Sequence, residues 1–140
     1  MGVREVAAQL RQVSLFSGCG RRELEAIARA AKEVSHPEGK VLAREGDRGI
    51  GFFLILEGTA KVSVRGRTRA KLGPGDIYGE IALLDQGPRS ATVTATSPVR
   101  LLGLTAWVFR GLLQEHPSIA MKMLEVVTGR LRSASSDVTA

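Results

Sequence analysis

The sequence predicts an α+β chain that is mainly β, a β-barrel or jelly roll with helices at both ends. Three observations predict it. Apolar residues recur at helical spacing at the start and the end, short β-prone runs fill the stretch from Lys32 to Leu104, and glycine- and proline-containing turn signals separate those runs. At 140 residues the chain fits one domain and is long enough to bury a core without disulfides. The expected divisions of a single domain, 1–140, are helices over 1–32, a β-roll over 33–104, closing helices over 105–132 and a tail over 133–140.

Val3 to Leu10 has helical spacing. Arg21 to Lys32 is a stronger helix, with Leu24, Ile27, Ala28 and Ala31 on one face. Seven β-prone runs follow: Val34–His36, Lys40–Ala43, Phe52–Leu56, Thr59–Arg65, Thr68–Leu72, Ala91–Thr96 and Val99–Leu104. Pro37-Glu38-Gly39, Gly46-Asp47, Glu57-Gly58 and Gly73-Pro74-Gly75-Asp76 lie between runs and suit tight reversals, so the strands are expected to pair antiparallel. Helical period returns with Trp107, Leu112 and Leu113, stops near Pro117, and resumes with Ala120, Leu124, Val127 and Leu131. Ser118 is a candidate cap for that last helix, and Ser133 to Ala140 reads as a frayed polar tail. No internal repeat or low-complexity segment interrupts the pattern.

Composition narrows the function classes. Twenty basic against fourteen acidic residues give a net charge of +6, which favours an anionic partner. Lys61, Arg65, Arg67, Arg69 and Lys71 cluster on one predicted hairpin, where strand alternation is expected to display several of them on one open face. A solvated face explains such a cluster as well, and with aromatics at 4% and none interleaved, it is no stacking platform for single strands. Cys19 is the only cysteine, which rules out an internal disulfide and a thiolate metal cluster, and it reads as a small buried apolar group. Arg4, Glu5 and Arg11 break any secretory core within Met1 to Gln12, and no stretch has the length of a membrane span, so a soluble, cytoplasmic chain is expected.

Enzyme chemistry finds no support among the residue types. His36 and His116, the two histidines, are far apart in sequence, each precedes a proline, and neither shares a metal-ligand spacing with a carboxylate. Ser90 has no histidine or lysine in its motif to activate it. No metal and no cofactor is expected.

The informative run is Gly79 to Val93, GEIALLDQGPRSATV. Glu80 supplies a carboxylate that can accept hydrogen bonds from a sugar hydroxyl, and Arg89 supplies a planar fork of donors for phosphate oxygens. Ile81 to Leu84 reads as one helical turn between them, whose leading N–H groups attract an anion. Small residues at Gly79, Ala82 and Ala91 permit close approach of backbone to a ligand. Glu80 and Arg89 could alternatively pair and tie the loop down, but the small residues around them leave space that a structural bridge does not need.

Gly79-Glu80-Ile81-Ala82-Leu83 and Pro88-Arg89-Ser90-Ala91-Thr92-Val93 closely resemble the phosphate-binding cassette of the cyclic-nucleotide-binding domain family. The resemblance extends over nearly the whole chain, through Gly46-Asp47, Leu56-Glu57-Gly58 and Leu72-Gly73-Pro74-Gly75-Asp76. Members include catabolite-activator regulators, kinase regulatory subunits and bacterial nucleotide-gated channels. The resemblance implies an eight-stranded antiparallel jelly-roll barrel, N-terminal helices, a short helix in the cassette and two C-terminal helices. It implies that Glu80 holds the ribose hydroxyl and Arg89 the cyclic phosphate, with the backbone of Ala82 and Ala91 and the hydroxyl of Ser90 at the phosphate rim. It further implies that Val62 and Leu72 line the base pocket and that the final helix acts as a lid, with Arg130 as a capping side chain and Arg132 or Thr128 as substitutes.

The function expected on these grounds is a regulatory module that binds a cyclic purine mononucleotide, cyclic AMP or else cyclic GMP, and signals by moving its closing helices. Only Ser133 to Ala140 follows the long helix, so direct DNA binding by a helix-turn-helix is not expected. The output partner then acts in trans, or the chain forms a homodimer through its terminal helices. Two alternatives remain: an anion-surface protein docking nucleic acid or acidic lipid through the basic hairpin, and a catabolite-activator regulator without its DNA-binding domain.

Overall fold

The computed structural model describes residues 2–138, and side chains as far as residue 134. The chain forms two compact units, one from the segments up to Ala30 and from Arg110 onward, the other spanning Ala31–Phe109. In the first unit, α1 (Val3–Leu10) leads through a single 3₁₀ turn (Ser14–Phe16) to α2 (Arg21–Ala30). The leading end of α2 is closed by Glu23, three residues past the cap position, whose Oε1 accepts the Gly20 N–H at 2.7 Å. Leu10, Leu24, Ile27, Ile119 and Met123 supply buried apolar side chains.

The C-terminal helices are α3 (Ala106–Glu115) and α4 (Pro117–Val138). Proline opens α4 because its fixed φ and missing N–H suit the first helical position. Ser118 is therefore inside the helix and not its cap, and its hydroxyl donates to Glu23 Oε2. Lys122, one turn further on, donates to Oε1 of the same carboxylate. At the other end of the helix, Arg130 Nη2 donates to Ser14 Oγ at 2.6 Å. The expected polar tail from Ser133 is instead helical as far as Val138, since Ser133 to Val138 contains no glycine or proline to stop propagation. Residues 139–140 of that tail lie outside the described residues.

The second unit consists of eight antiparallel strands: β1 (Lys32–His36), β2 (Val41–Ala43), β3 (Gly51–Glu57), β4 (Ala60–Val64), β5 (Arg67–Leu72), β6 (Ile77–Tyr78), β7 (Thr92–Ala95) and β8 (Val99–Thr105). They form two four-stranded sheets, ordered β1-β8-β3-β6 and β2-β7-β4-β5. Ala43, Ile55, Ala60, Val93, Ala95, Val99 and Leu101 are buried in one apolar cluster. On β7 the alternation is plain, with Val93 and Ala95 buried and Thr92 and Thr94 on the other face.

Three expectations change here. The barrel is not closed, because among the described residues no ladder joins the two sheets: β6 has only two residues, and β5 is a charged, bulged edge. Lys32 begins β1 and does not end α2. Ile77–Tyr78 is the strand that the residue pattern by itself does not reveal, since Gly73-Pro74-Gly75 and Gly79 bracket it too closely for any period to show.

Candidate functional site

The cassette connects β6 to β7. Its expected helical turn is a 3₁₀ turn over Glu80–Leu83, beginning one residue earlier than the apolar pattern suggests. Gly79 precedes it at φ 83°, ψ 18°, the left-handed region that side chains other than glycine seldom occupy. That geometry turns the chain sharply out of β6 and places Glu80 at the head of the turn. Ala82 N–H donates to Gly79 O at 3.0 Å within the turn, and the Ala82 side chain is buried.

The Arg89 segment is held by a second loop. Arg89 N–H donates to Asp47 O at 2.7 Å, Gly46 N–H to Arg89 O at 2.9 Å, and Gly49 N–H to Gly87 O at 3.0 Å. Arg48 adds a bridge to Pro88 and a 2.8 Å bond from Nη2 to Gln86 Oε1. Residues 46–49 thus run antiparallel to 86–89 and clip them in place. Asp85 Oδ1 accepts the Gly87 N–H at 3.1 Å and shapes the bend between turn and arginine.

Arg89 itself lies between glycines. Nη2 donates to Gly51 O at 3.0 Å. A Cβ on Gly79 would meet Arg89 Nη1 at 2.2 Å and Gly51 O at 2.5 Å, and one on Gly49 would meet Ala82 Cβ at 2.9 Å and Arg89 Nε at 3.4 Å. The guanidinium therefore occupies volume that a methyl at Gly79 would take, while a methyl at Gly49 would crowd Ala82. Partial burial lowers its pKa, and Tyr78 acts in the opposite sense. An arginine in such a place keeps its charge. Burial raises the Tyr78 phenol well above its ordinary range against the opposing charge of Arg89, so it stays neutral, stacked on Phe53 with ring centroids 5.1 Å apart.

These pieces enclose a cavity of about 540 Å³. Gly79, Glu80, Ile81, Ala82, Arg89, Ser90 and Ala91 line it, as do Val62 and Leu72. All nine are residues that the sequence singles out. Arg130, the tenth, belongs to the helical unit, where it binds Ser14. The lining residues not among the candidates are the apolar Ala43, Ile77 and Val93, the ring of Tyr78, the carboxylate of Asp85, and Gly49, Gly87 and Pro88. Gly51, whose carbonyl anchors Arg89, was missed as well. The signal that was available for those two glycines is Gly49-Ile50-Gly51 directly before an apolar strand, a spacing that marks close approach of backbone to another group. The cavity thus presents one cation, Arg89, and two carboxylates, Glu80 and Asp85, together with apolar side chains, an arrangement fitted to a small anion with a hydroxyl and an apolar body.

Comparison with known proteins agrees with this chemistry. The family profile for the cyclic nucleotide-binding domain matches residues 33–116. A cyclic nucleotide-gated potassium channel of Mesorhizobium japonicum is 38% identical over 124 residues, 89% of this chain and 34% of the channel. A cyclic AMP receptor protein of Thermus thermophilus is 30% identical over 129 residues, 89% of this chain and 60% of the receptor. The chain thus spans about a third of the channel and 60% of the receptor. Among solved structures, the N-terminal domain of a transcriptional regulator from Streptomyces coelicolor A3(2) superposes with a TM-score of 0.85 at 30% identity, covering 94% of this chain and 96% of that one. With its family profile, its relatives and its cassette geometry in agreement, the chain belongs to the cyclic nucleotide-binding domain family.

Proposed function

We propose that this protein is a sensor of a 3′,5′-cyclic purine mononucleotide, with cyclic AMP as its principal ligand and cyclic GMP as the competitor it must be measured against. The observation that carries this reading is the Arg89 guanidinium, held by Gly51 O on the rim of a cavity that also includes Glu80. A cyclic phosphodiester carries a single negative charge, which one arginine and a few neutral donors can match without a metal. Glu80 takes the ribose hydroxyl, Ser90 adds a hydroxyl beside the phosphate, and Val62 and Leu72 face the base. Two relatives support cyclic AMP through their own printed names, a cyclic AMP receptor protein of Thermus thermophilus and a CRP-like cAMP-activated global transcriptional regulator of Mycobacterium tuberculosis.

Occupancy is read out by the closing helices. A nucleotide that binds one position of these helices more tightly than another shifts the population toward it by the ratio of the two affinities. Arg130 is the proposed capping side chain on α4. The same helix exposes Met121, Leu124 and Leu131, which supports contact with a second copy or with an effector in trans. No catalysis is assigned, and the site of action is proposed as the cytoplasm. Among the described residues no helix is long and apolar enough to cross a membrane.

Calorimetric titration with cyclic AMP, cyclic GMP and linear AMP tests the reading. Cyclic AMP is expected to bind tightly and linear AMP feebly, because the second negative charge and the open ring of linear AMP no longer match one arginine. Equal affinity for the linear nucleotide overturns it.

A further inference from the structure

Outside the cavity, the most strongly charged feature is the hairpin formed by β4 and β5. Lys61, Arg65, Arg67, Arg69 and Lys71 are all exposed, and no acidic residue occurs between Gly58 and Gly75. Among the described residues none of the five has an ion-pair partner.

Sheet stability does not explain the arrangement. Lys61 and Lys71 are direct cross-strand partners, and like charges opposite one another destabilise a ladder. Lysine on an edge strand guards against unwanted pairing, which accounts for Lys71, but β4 is an interior strand bonded to both β5 and β7. Arg65 occupies φ 52° beside Gly66 at φ 79°, a two-residue reversal that asparagine or glycine fills with less strain. Two unfavourable choices thus coincide on one hairpin, and each adds or keeps a positive charge.

The placement of the charges indicates the shape of what they meet. Within β4, β7 pairs with Ala60–Ser63, so the Val64–Arg67 pair and the turn extend past β7 as a two-stranded ribbon, where the Arg65 N–H donates to Glu45 Oε1 at 3.0 Å. A bulge between Val62 and Ser63 leaves Arg69 as the extra residue and changes the alternation. Lys61 and Lys71 consequently share one face, while Arg67 is paired with Val64 on the other. Lys61 and Lys71 lie where β7 still flanks β4, and Arg65 and Arg67 lie on the projecting end, so the cations do not share the one open face that simple alternation predicts. A planar anionic bilayer would engage only one side of such a ribbon, whereas a groove with phosphates on both walls engages both. Two strands about 4.8 Å apart fit a duplex major groove about 12 Å wide.

We propose that the β4–β5 hairpin is a docking site for duplex nucleic acid that contacts backbone phosphates on both walls of the groove without reading sequence. Three arginines and two lysines supply the phosphate contacts, and Ser63 and Thr68, in register beside them, supply hydroxyl donors. The hairpin has no aromatic side chain, so the contact is with paired strands and not with stacked single-stranded bases.

Fluorescence anisotropy of an end-labelled 24-base-pair DNA duplex, from 20 to 300 mM KCl, tests this. The wild-type chain is compared with a hairpin triple, Lys61→Gln, Arg67→Gln and Lys71→Gln, and a control triple of equal charge, Arg4→Gln, Arg22→Gln and Arg110→Gln. Circular dichroism melting verifies that each variant folds. The affinity of the wild-type chain should fall with salt at a log–log slope of about −0.9 per phosphate engaged, roughly −4 to −5 in all. The hairpin triple should lose at least tenfold in affinity at 50 mM salt and flatten that slope by roughly 2 to 3, while the control loses no more than about threefold. Equal losses in the two triples would show that net charge alone is responsible and would overturn the proposal. Hairpin-dependent binding to phosphatidylserine vesicles without duplex binding would overturn it too, in favour of a lipid surface.

Discussion

Arg89 hangs from the backbone of Gly51: its Nη2 donates to the glycine carbonyl oxygen at 3.0 Å, across 38 positions of sequence. The bond engages one of the five N–H donors on the guanidinium and fixes the plane of the rest before any ligand arrives. Orientation settled in advance reduces the ordering cost of binding, which is how a single arginine can dominate the affinity of a small site.

Arg89→Ala should therefore weaken cyclic AMP binding by roughly tenfold to a few hundredfold, the equivalent of one charge-assisted hydrogen bond at about 1.5–3 kcal/mol. Arg89→Lys should recover only part of this, because an ammonium cannot bond Gly51 O and a phosphate oxygen in one plane. Glu80→Ala should lose a comparable amount. Calorimetry on the three variants checks the ranking, and an Arg89→Lys variant with wild-type affinity would contradict it.

Gly79→Ala should lose binding and stability together. The left-handed backbone alone costs a non-glycine residue about 1–2 kcal/mol. The added methyl also meets Arg89 Nη1 at 2.2 Å and Gly51 O at 2.5 Å, so the guanidinium must leave its anchor. Urea unfolding together with nucleotide titration measures both effects. Gly66→Ala, at φ 79° with open space around it, should pay only the backbone cost and keep nucleotide affinity.

Acid should loosen the helical unit through Glu23. Burial raises the pKa of this carboxylate, but hydrogen bonds from Lys122, Ser118 and the Gly20 N–H outweigh that and bring it from 4.5 to about 2. A depressed folded-state pKa contributes stability that is fully present above about 4.5 and is lost as pH falls toward 2. Glu23→Gln should flatten this part of the stability profile and cost about 1–3 kcal/mol at neutral pH. Thermal melts between pH 2 and 7 on both proteins test the sign.

Cys19 should be nearly unreactive in the folded chain. It is 4% exposed, and burial, followed by the Glu23 charge, pushes its thiol to about 11 against the opposing effect of Lys122. Labelling with a thiol reagent at pH 8 should be slow in the native state and fast in denaturant. Rapid native labelling would show that the loop around Gly18 and Gly20 opens.

Much of this could be read from the residues in order. α1 occurs over the residues that its apolar spacing indicates, and the predicted strand runs overlap seven of the eight strands to within two residues at each end, because alternation and turn chemistry are local properties. Nine of the ten candidate site residues line one cavity, since the cassette is short and its chemistry lies in consecutive side chains. Other features had no local trace. The strand Ile77–Tyr78 is too short to show a period, and the open sandwich depends on which strand edges find partners.

The sequence by itself determined the inventory: an arginine and an acid nine residues apart among small residues, strands between turns, and helices at both ends. Only the tertiary structure decided that Arg89 is anchored by Gly51 between Gly49 and Gly79, that Glu23 binds Ser118 and Lys122, and that a bulge divides the basic residues between the two faces of the hairpin. The physical reason is that residue type and spacing set local conformation and charge. The partner of a guanidinium is a carbonyl brought close from 38 positions away, that of a buried carboxylate a hydroxyl from 95 positions away, and the faces of the hairpin are set by a bulge that shifts register by one residue.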